Sequence, residues 1–290
     1  MTINDDTLLY SVPPSFYSQI ARLALTEKGV KYRKIIVAPG PPNYETYQPW
    51  YMRLNPMGTV PTLVVNGKVI DDSRMILNFS GQELQSHTLF PSEEALLADV
   101  ENWIEEAYQI PERELAYGSE KLKKLGAITN RKRLKILRKY RSRQTDMKEI
   151  YDNKIADIES FMQNASNTKH FEAIQKAIHQ KLDWANQALS GREFCCGKTY
   201  SAADVVWTVT VARQVMLGNK PFEGRPYLEA WYARMKARPS YRQADVWERF
   251  KPEVMLPILL WKYKWSLLVA LTLVTLITLG LIFGFGGSGI

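Results

Sequence analysis

Cysteine is almost absent, since Cys195 and Cys196 are the only two in 290 residues. Adjacent cysteines rarely close a disulfide, so an oxidised, stapled scaffold is excluded and a reducing compartment is expected. Histidine is nearly as scarce: His87, His170 and His179 share no ligand spacing with one another or with the cysteine pair, and no metal site is expected. There is no glycine-rich phosphate loop and no GxSxG elbow, which removes the commonest nucleotide and hydrolase signatures. The first ten residues, MTINDDTLLY, lack a basic region ahead of an apolar run, so neither a secretory signal nor an Arg-rich transit peptide is expected there.

Two further absences are local. Acids are missing from Lys121 to Thr145, where eleven Lys and Arg exceed the formal net charge of +8 and leave the remainder mildly acidic. All charge is missing from Trp265 to Ile290. What remains, 46% hydrophobic and 23% charged, is ordinary globular composition with length for two small domains sharing cores.

The uncharged stretch predicts a membrane span over 266–285, because twenty residues at about 1.5 Å each make roughly 30 Å of helix, the thickness of a bilayer's hydrocarbon core. Trp261, Tyr263 and Trp265 interleave with Lys262 and Lys264 where headgroups would lie. The expectation is a single-pass tail anchor with the N-terminal body in the cytosol, and a hinge around Pro257.

In the body, Leu8 to Val12 predicts a strand, stopped by Pro13 and Pro14, with Ser15 starting an amphipathic helix that ends at Gly29. Tyr32 to Val37 predicts a second strand and Gln48 to Leu54 a short helix. Thr62 to Val65 and Lys68 to Ile70 flank Asn66-Gly67, a strong short hairpin signal, and a helix follows from Ser73.

That order is the thioredoxin-like pattern, and three segments resemble the glutathione transferases: LYSVPPSFYSQIARLALTEKG the first strand and helix, LNPMGTVPTLVVNG the cis-proline stretch, and Asp71-Asp72-Ser73 the acid-serine turn. GREFCCGKTYSAADVVW from Gly191 resembles the start of the family's helical domain. The expected fold is therefore an α+β thioredoxin-like glutathione-binding domain over 1–88 and an all-α domain over 92–250, followed by one transmembrane helix. Glutathione is the implied cosubstrate. A cis Val60-Pro61 bond would present the Val60 main chain to a passing peptide. The helix start at Ser73 suits the γ-glutamyl carboxylate and Asp72 the ammonium, although Asp72-Ser73 equally suits a plain helix cap. By resemblance to the serine-type classes, Ser15 is the first candidate for the hydroxyl that holds glutathione as thiolate, with Ser11 second and Tyr10 third. Ser15 also fits an ordinary N-cap.

Leu96, Val100, Trp103 and Ile104 predict one long helix, Met147 to Met162 a second and Phe171 to Leu182 a third. Tyr200-Ser201-Ala202-Ala203-Asp204 reads as a capping box, a structural feature rather than a catalytic one. The basic run lies in an insertion at about 118–145 and suits a solvated helix or anionic-lipid contact, with a protein or nucleic-acid partner as a third use. SFYSQIARL and QPWYMRLN, with the insertion and the apolar end, resemble the ganglioside-induced differentiation-associated proteins. That likeness implies the mitochondrial outer membrane, with the endoplasmic reticulum or a bacterial inner membrane as alternatives. The functional expectation is a membrane-anchored glutathione transferase acting on a hydrophobic electrophile, with a homodimer as an open question. The alternative is a non-enzymatic adaptor that organises membranes.

Overall fold

The computed structural model describes residues 7–82, 89–118, 120–164 and 168–264. Residues 1–250 form one compact unit and 251–290 another. The first begins β1 (Leu8–Ser11), α1 (Phe16–Glu27), β2 (Arg33–Ile36), α2 (Pro49–Leu54), β3 (Thr62–Val65), β4 (Lys68–Ile70) and α3 (Ser73–Gln82). The sheet order is β2-β1-β3-β4, parallel between β1 and β2 and antiparallel elsewhere. Asn66 and Gly67 both take positive φ, the conformation that a two-residue hairpin turn needs, so β3 and β4 fall where the sequence expects them.

The helical part comprises α4 (Glu94–Tyr108), α5 (Glu112–Gly118), α6 (Glu120–Arg141), α7 (Lys148–Asn164), α8 (Thr168–Ala188), α9 (Ala202–Leu217), α10 (Pro226–Ala237) and α11 (Pro239–Gln243). α9 is buried from Ala202 through Gln214 and runs through the centre of the helical part. Its Trp207 Nε1 donates to the Trp103 carbonyl of α4 at 2.7 Å. A helix apolar on all sides must have neighbours all round.

α1 is also two-sided. Ala21 and Leu25 pack with Leu9, Leu63 and Ile70 of the sheet, while Ile20, Leu23 and Ala24 join Trp103, Leu182 and Val205 in the helical core. The division drawn between 88 and 92 in the sequence therefore does not divide the core.

The basic insertion is the helix α6, packed on α7. Its period-3/4 stripe of Leu134 and Leu137, with Ile136 and Tyr140 partly buried, meets Tyr151 and Ile158 of α7 and Tyr44, Tyr47 and Met52 of the loop and helix before β3. Several of its cations are engaged by other parts of the chain: the buried Arg133 donates to the Pro39 carbonyl at 2.9 Å, while at the surface Arg138 pairs with Glu159 at 2.6 Å and Arg141 makes a two-pronged bond to Asp152. One face of the run is thus core rather than solvated surface.

The expected membrane span at 266–285 lies outside the described residues. Among the described residues no helix is long and apolar enough to cross a membrane. In the second unit, residues 252–264 are helical straight through Pro257, where the sequence predicts a hinge.

Candidate active site

The strand register brings the three sequence-predicted segments to one end of the sheet. Tyr10 pairs with Thr62 in antiparallel register, so Pro61, just before β3, stands beside the outgoing end of β1. Ile70 pairs with Leu63, so Asp71 and Asp72, just after β4, emerge at the same edge. The Val60-Pro61 bond is cis. Val60 is half-buried, and its main chain makes no hydrogen bond to the described residues.

Two residues that the sequence reading passed over pin this edge. Asn55 Nδ2 donates to Thr62 Oγ1 at 2.9 Å, to the Thr59 carbonyl at 3.1 Å and to the Asp71 carbonyl at 3.4 Å. Tyr51 Oη donates to the Thr59 carbonyl at 2.6 Å and lies 2.9 Å from Thr62 Oγ1. Gly58 is required between them: at φ +58 an added Cβ would meet Met52 Sδ at 2.9 Å and the Thr46 carbonyl at 3.2 Å.

Ser15 is the N-cap of α1, its Oγ accepting the Ser18 N–H at 3.3 Å. With that lone pair engaged, the Ser15 hydroxyl proton remains available for donation. Ser11 is fully buried and its hydroxyl accepts from Arg22 Nη1 at 3.1 Å, so it serves the loop rather than an incoming molecule. Tyr10 packs its ring at 6.0 Å from Trp50 and 5.8 Å from Tyr51. Asp72 Oδ1 accepts the N–H groups of Arg74 at 2.8 Å and Met75 at 3.1 Å, which caps α3, and the residue is exposed. Ser73 is buried, with Oγ 3.0 Å from Tyr108 Oη.

Arg22 locks the approach to Ser15. Fully buried, it donates to the carbonyls of Pro13 at 3.0 Å, Ala244 at 2.7 Å and Asp245 at 3.0 Å as well as to Ser11. Burial lowers its pKa.

On the helical side stand Tyr17, Tyr108, Glu112 and Arg213. The Tyr17 ring lies 5.0 Å from Phe16 and 6.0 Å from Tyr108. Burial, then the charges of Glu112, Glu114 and Asp72, push the Tyr17 phenol up to about 12. Tyr108 is raised chiefly by burial. Glu112 is pushed up to about 7 by burial, against the opposing pull of Arg213, whose Nε lies 3.3 Å from Oε2. A carboxyl raised above its unfolded pKa is favoured in the fold only while protonated, so its contribution is full below about 4.5 and is lost as pH rises through about 7. Glu112→Gln is accordingly expected to flatten the fall in stability over that window by up to about 3 kcal/mol, read from urea midpoints at pH 5 and pH 8.

Neither cysteine serves this site. Cys195 and Cys196 are both buried in the helical core, and burial raises both thiols, Cys196 to about 12. No group of His, Cys, Asp and Glu suited to a metal ion occurs among the described residues.

Comparison with known proteins agrees with this geometry. Residues 14–82 match the family model of the glutathione S-transferase N-terminal domain, and residues 168–234 that of the C-terminal domain. The tetrachloro-p-hydroquinone reductive dehalogenase of Sphingobium chlorophenolicum is 30% identical over 250 residues, covering 84% of this chain and 97% of that protein. Glutathione S-transferase TCHQD of Arabidopsis thaliana is 24% identical over 249 residues, covering 81% and 88%. The crystal structure of the beta-etherase LigF from Sphingobium sp. strain SYK-6 superposes with a TM-score of 0.62 at 20% identity, covering 82% of this chain and 98% of that one.

These relatives supply the finding against the expected membrane location. The chain's likeness runs to a reductive dehalogenase and a glutathione S-transferase, over four fifths of its length, and no described helix can cross a membrane. The tail-anchored placement in the mitochondrial outer membrane, with its alternatives, is corrected on that likeness. With the thioredoxin-like sheet, the helical layer and both domain models in agreement, the chain belongs to the glutathione transferase superfamily, whose cosubstrate is glutathione.

Proposed function

We propose that this protein is a glutathione-dependent transferase of the serine type, with the Ser15 hydroxyl donating to the glutathione sulfur. The observation that carries the reading is the convergence of Ser15, Val60-Pro61 and Asp72-Ser73 at one end of the sheet. Glutathione supplies a thiolate nucleophile, and the chain contributes no thiol of its own there. The Ser15 O–H and the free N–H groups at the start of α1 favour the thiolate over the thiol. The unpaired main chain of Val60 suits the backbone of the cysteinyl residue in the manner of strand addition. The start of α3 suits the γ-glutamyl carboxylate, and Asp72, exposed and with only Oδ1 used in capping, suits the ammonium.

The electrophile in this reading is an apolar aromatic, in keeping with the aromatic side chains Phe16, Tyr17 and Tyr108 beside Ser15 and with the hydroquinone named for the bacterial relative. The likeness of SFYSQIARL and QPWYMRLN to the ganglioside-induced differentiation-associated proteins, and a homodimer, belong to the same reading as finer points. Charges on α6 outside its buried stripe leave anionic ligands a surface there.

Glutathione conjugation to 1-chloro-2,4-dinitrobenzene is the direct test. Ser15→Ala is expected to lower kcat/KM at least about tenfold, the scale of one lost charge-assisted hydrogen bond. Asp72→Ala is expected to weaken glutathione binding in titration calorimetry. Unchanged rates in Ser15→Ala would remove that residue's role, and absence of glutathione binding by the wild type would overturn the whole reading.

A further inference from the structure

The helix α9 carries two charges, and both are buried. Asp204, near its start, serves the helical layer itself, where it accepts four hydrogen bonds. Arg213, near its other end, reaches out of that layer. Its Nη2 donates at 2.8 Å to the carbonyl of Pro14, the residue before Ser15, and its guanidinium carbon lies 5.9 Å from the ring centre of Phe16, the residue after it. Behind it stands Glu112 of α5, with Oε2 3.3 Å from Arg213 Nε; the Glu112 and Arg213 side chains are 4% and 10% exposed. A buried ion pair is a poor source of stability beside an apolar pair of similar volume, so packing alone does not account for it.

Pro13 and Pro14 have no N–H, so the turn before Ser15 is held through its carbonyls. Buried Arg22 donates to the first at 3.0 Å and Arg213 to the second, while the Ser15 N–H donates back to the Val12 carbonyl at 3.2 Å. Gln19 Nε2 also reaches the Pro14 carbonyl, at the longer distance of 3.4 Å. Arg22 belongs to α1 and links the first carbonyl to the chain after α11. Arg213 comes from α9 and links the second, through Glu112, to α5. Of the two arginines, only Arg213 acts on the residue directly bonded to Ser15. A guanidinium is a rigid planar fork, so a carboxylate on Nε sets the direction in which Nη2 points. We propose that Arg213 is a positioning residue for Ser15: oriented by Glu112, it holds the Pro14 carbonyl and so fixes where the Ser15 hydroxyl meets the glutathione sulfur. This rests on the glutathione-dependent reading above.

The test is a pH titration of glutathione bound to the full chain, read from the ultraviolet absorbance of its thiolate. Calorimetry with S-methylglutathione is the control, because that analogue binds without a thiolate. Arg213→Met is expected to raise the thiolate midpoint by about one pH unit, which is about tenfold less thiolate at neutral pH, and to leave S-methylglutathione affinity nearly unchanged. Glu112→Ala is expected to raise the midpoint too, and the variant with both changes no further than Arg213→Met alone, since the carboxylate works through the guanidinium. That double variant buries no unpaired charge, so it keeps the test open if Arg213→Met does not fold. Arg213→Lys keeps a cation without the fork and is expected to recover little. An unmoved midpoint in the double variant overturns the proposal, as does full recovery in Arg213→Lys, which would make charge rather than hold the cause. A loss of S-methylglutathione affinity as large as the thiolate shift, the mark of a merely structural pair, overturns it as well. Failure of the wild type to bind S-methylglutathione is a separate outcome that sinks the underlying reading.

Discussion

Asp204→Ala is expected to lose about 4 kcal/mol of stability. Asp204 is fully buried at the start of α9. Its Oδ1 accepts the Cys195 N–H and Trp231 Nε1, both at 2.9 Å, and its Oδ2 accepts the Ser201 N–H at 2.9 Å and the Ser201 hydroxyl at 3.0 Å. The Cys195 turn, the Ser201 cap and Trp231 of α10 thus share one carboxylate. Removing it strands buried donors on each of them, and each orphaned donor costs about 1–3 kcal/mol before relaxation. Asp204→Asn keeps one acceptor oxygen but turns an NH2 toward two of the donors, so it should recover about half. Urea unfolding of the wild type and both variants decides this. A loss under about 1 kcal/mol in the alanine variant would mean that the stranded donors find other acceptors or water at little cost.

Arg22→Met is expected to cost about 3–5 kcal/mol and to lower kcat/KM for glutathione conjugation about tenfold. The substitution keeps the unbranched apolar stem of the side chain while leaving the Pro13, Ala244 and Asp245 carbonyls and the Ser11 hydroxyl without their donor. The stability loss follows from burial of those acceptors. The loss of activity follows from position: Pro13 lies two residues before Ser15, and displacements on the order of 1 Å at a reacting centre are costly. Arg22→Lys keeps the charge but not the planar fork that reaches several acceptors together, so it should rescue little. Thermal unfolding and conjugation rates on the same samples check both parts. A stable variant with unchanged rates would show that the loop before α1 holds its shape without Arg22.

Much of the fold could be read from short-range pattern. Asn66-Gly67 fixes a two-residue turn by backbone conformation alone, and alternating apolar residues on either side place β3 and β4 without further information. The capping box at Ser201 and Asp204 needs only a spacing of three. Ser15, Pro61 and Ser73 were legible for the same reason, each standing at the junction of a strand and a helix. What escaped were groups whose role depends on distant partners. Arg22 looks like a surface charge on an amphipathic helix, yet its acceptor at Ala244 is 222 positions away. Glu112 stands in PEREL, where acids flank Arg113, and only the tertiary fold sets it against Arg213. Asn55 stands in a motif whose local signal is its proline and glycine, while its three hydrogen bonds depend on acceptors that only the fold brings together. The uncharged run over 265–290 lies outside the described residues, and its composition alone is what the expected location rests on.

The double burial of α1 has a thermodynamic meaning. Because one face of the helix belongs to the sheet and the other to the helical core, neither layer can shed it without exposing apolar surface in both. Opening either layer therefore opens the other, and the unit over 1–250 behaves as one cooperative block. Ser15 caps that same helix, so whatever binds at its amino end acts on the global equilibrium rather than on a local loop. Occupancy there raises the free energy of unfolding of the whole block by mass action. In this architecture, ligand affinity and fold stability are measures of the same cooperative transition.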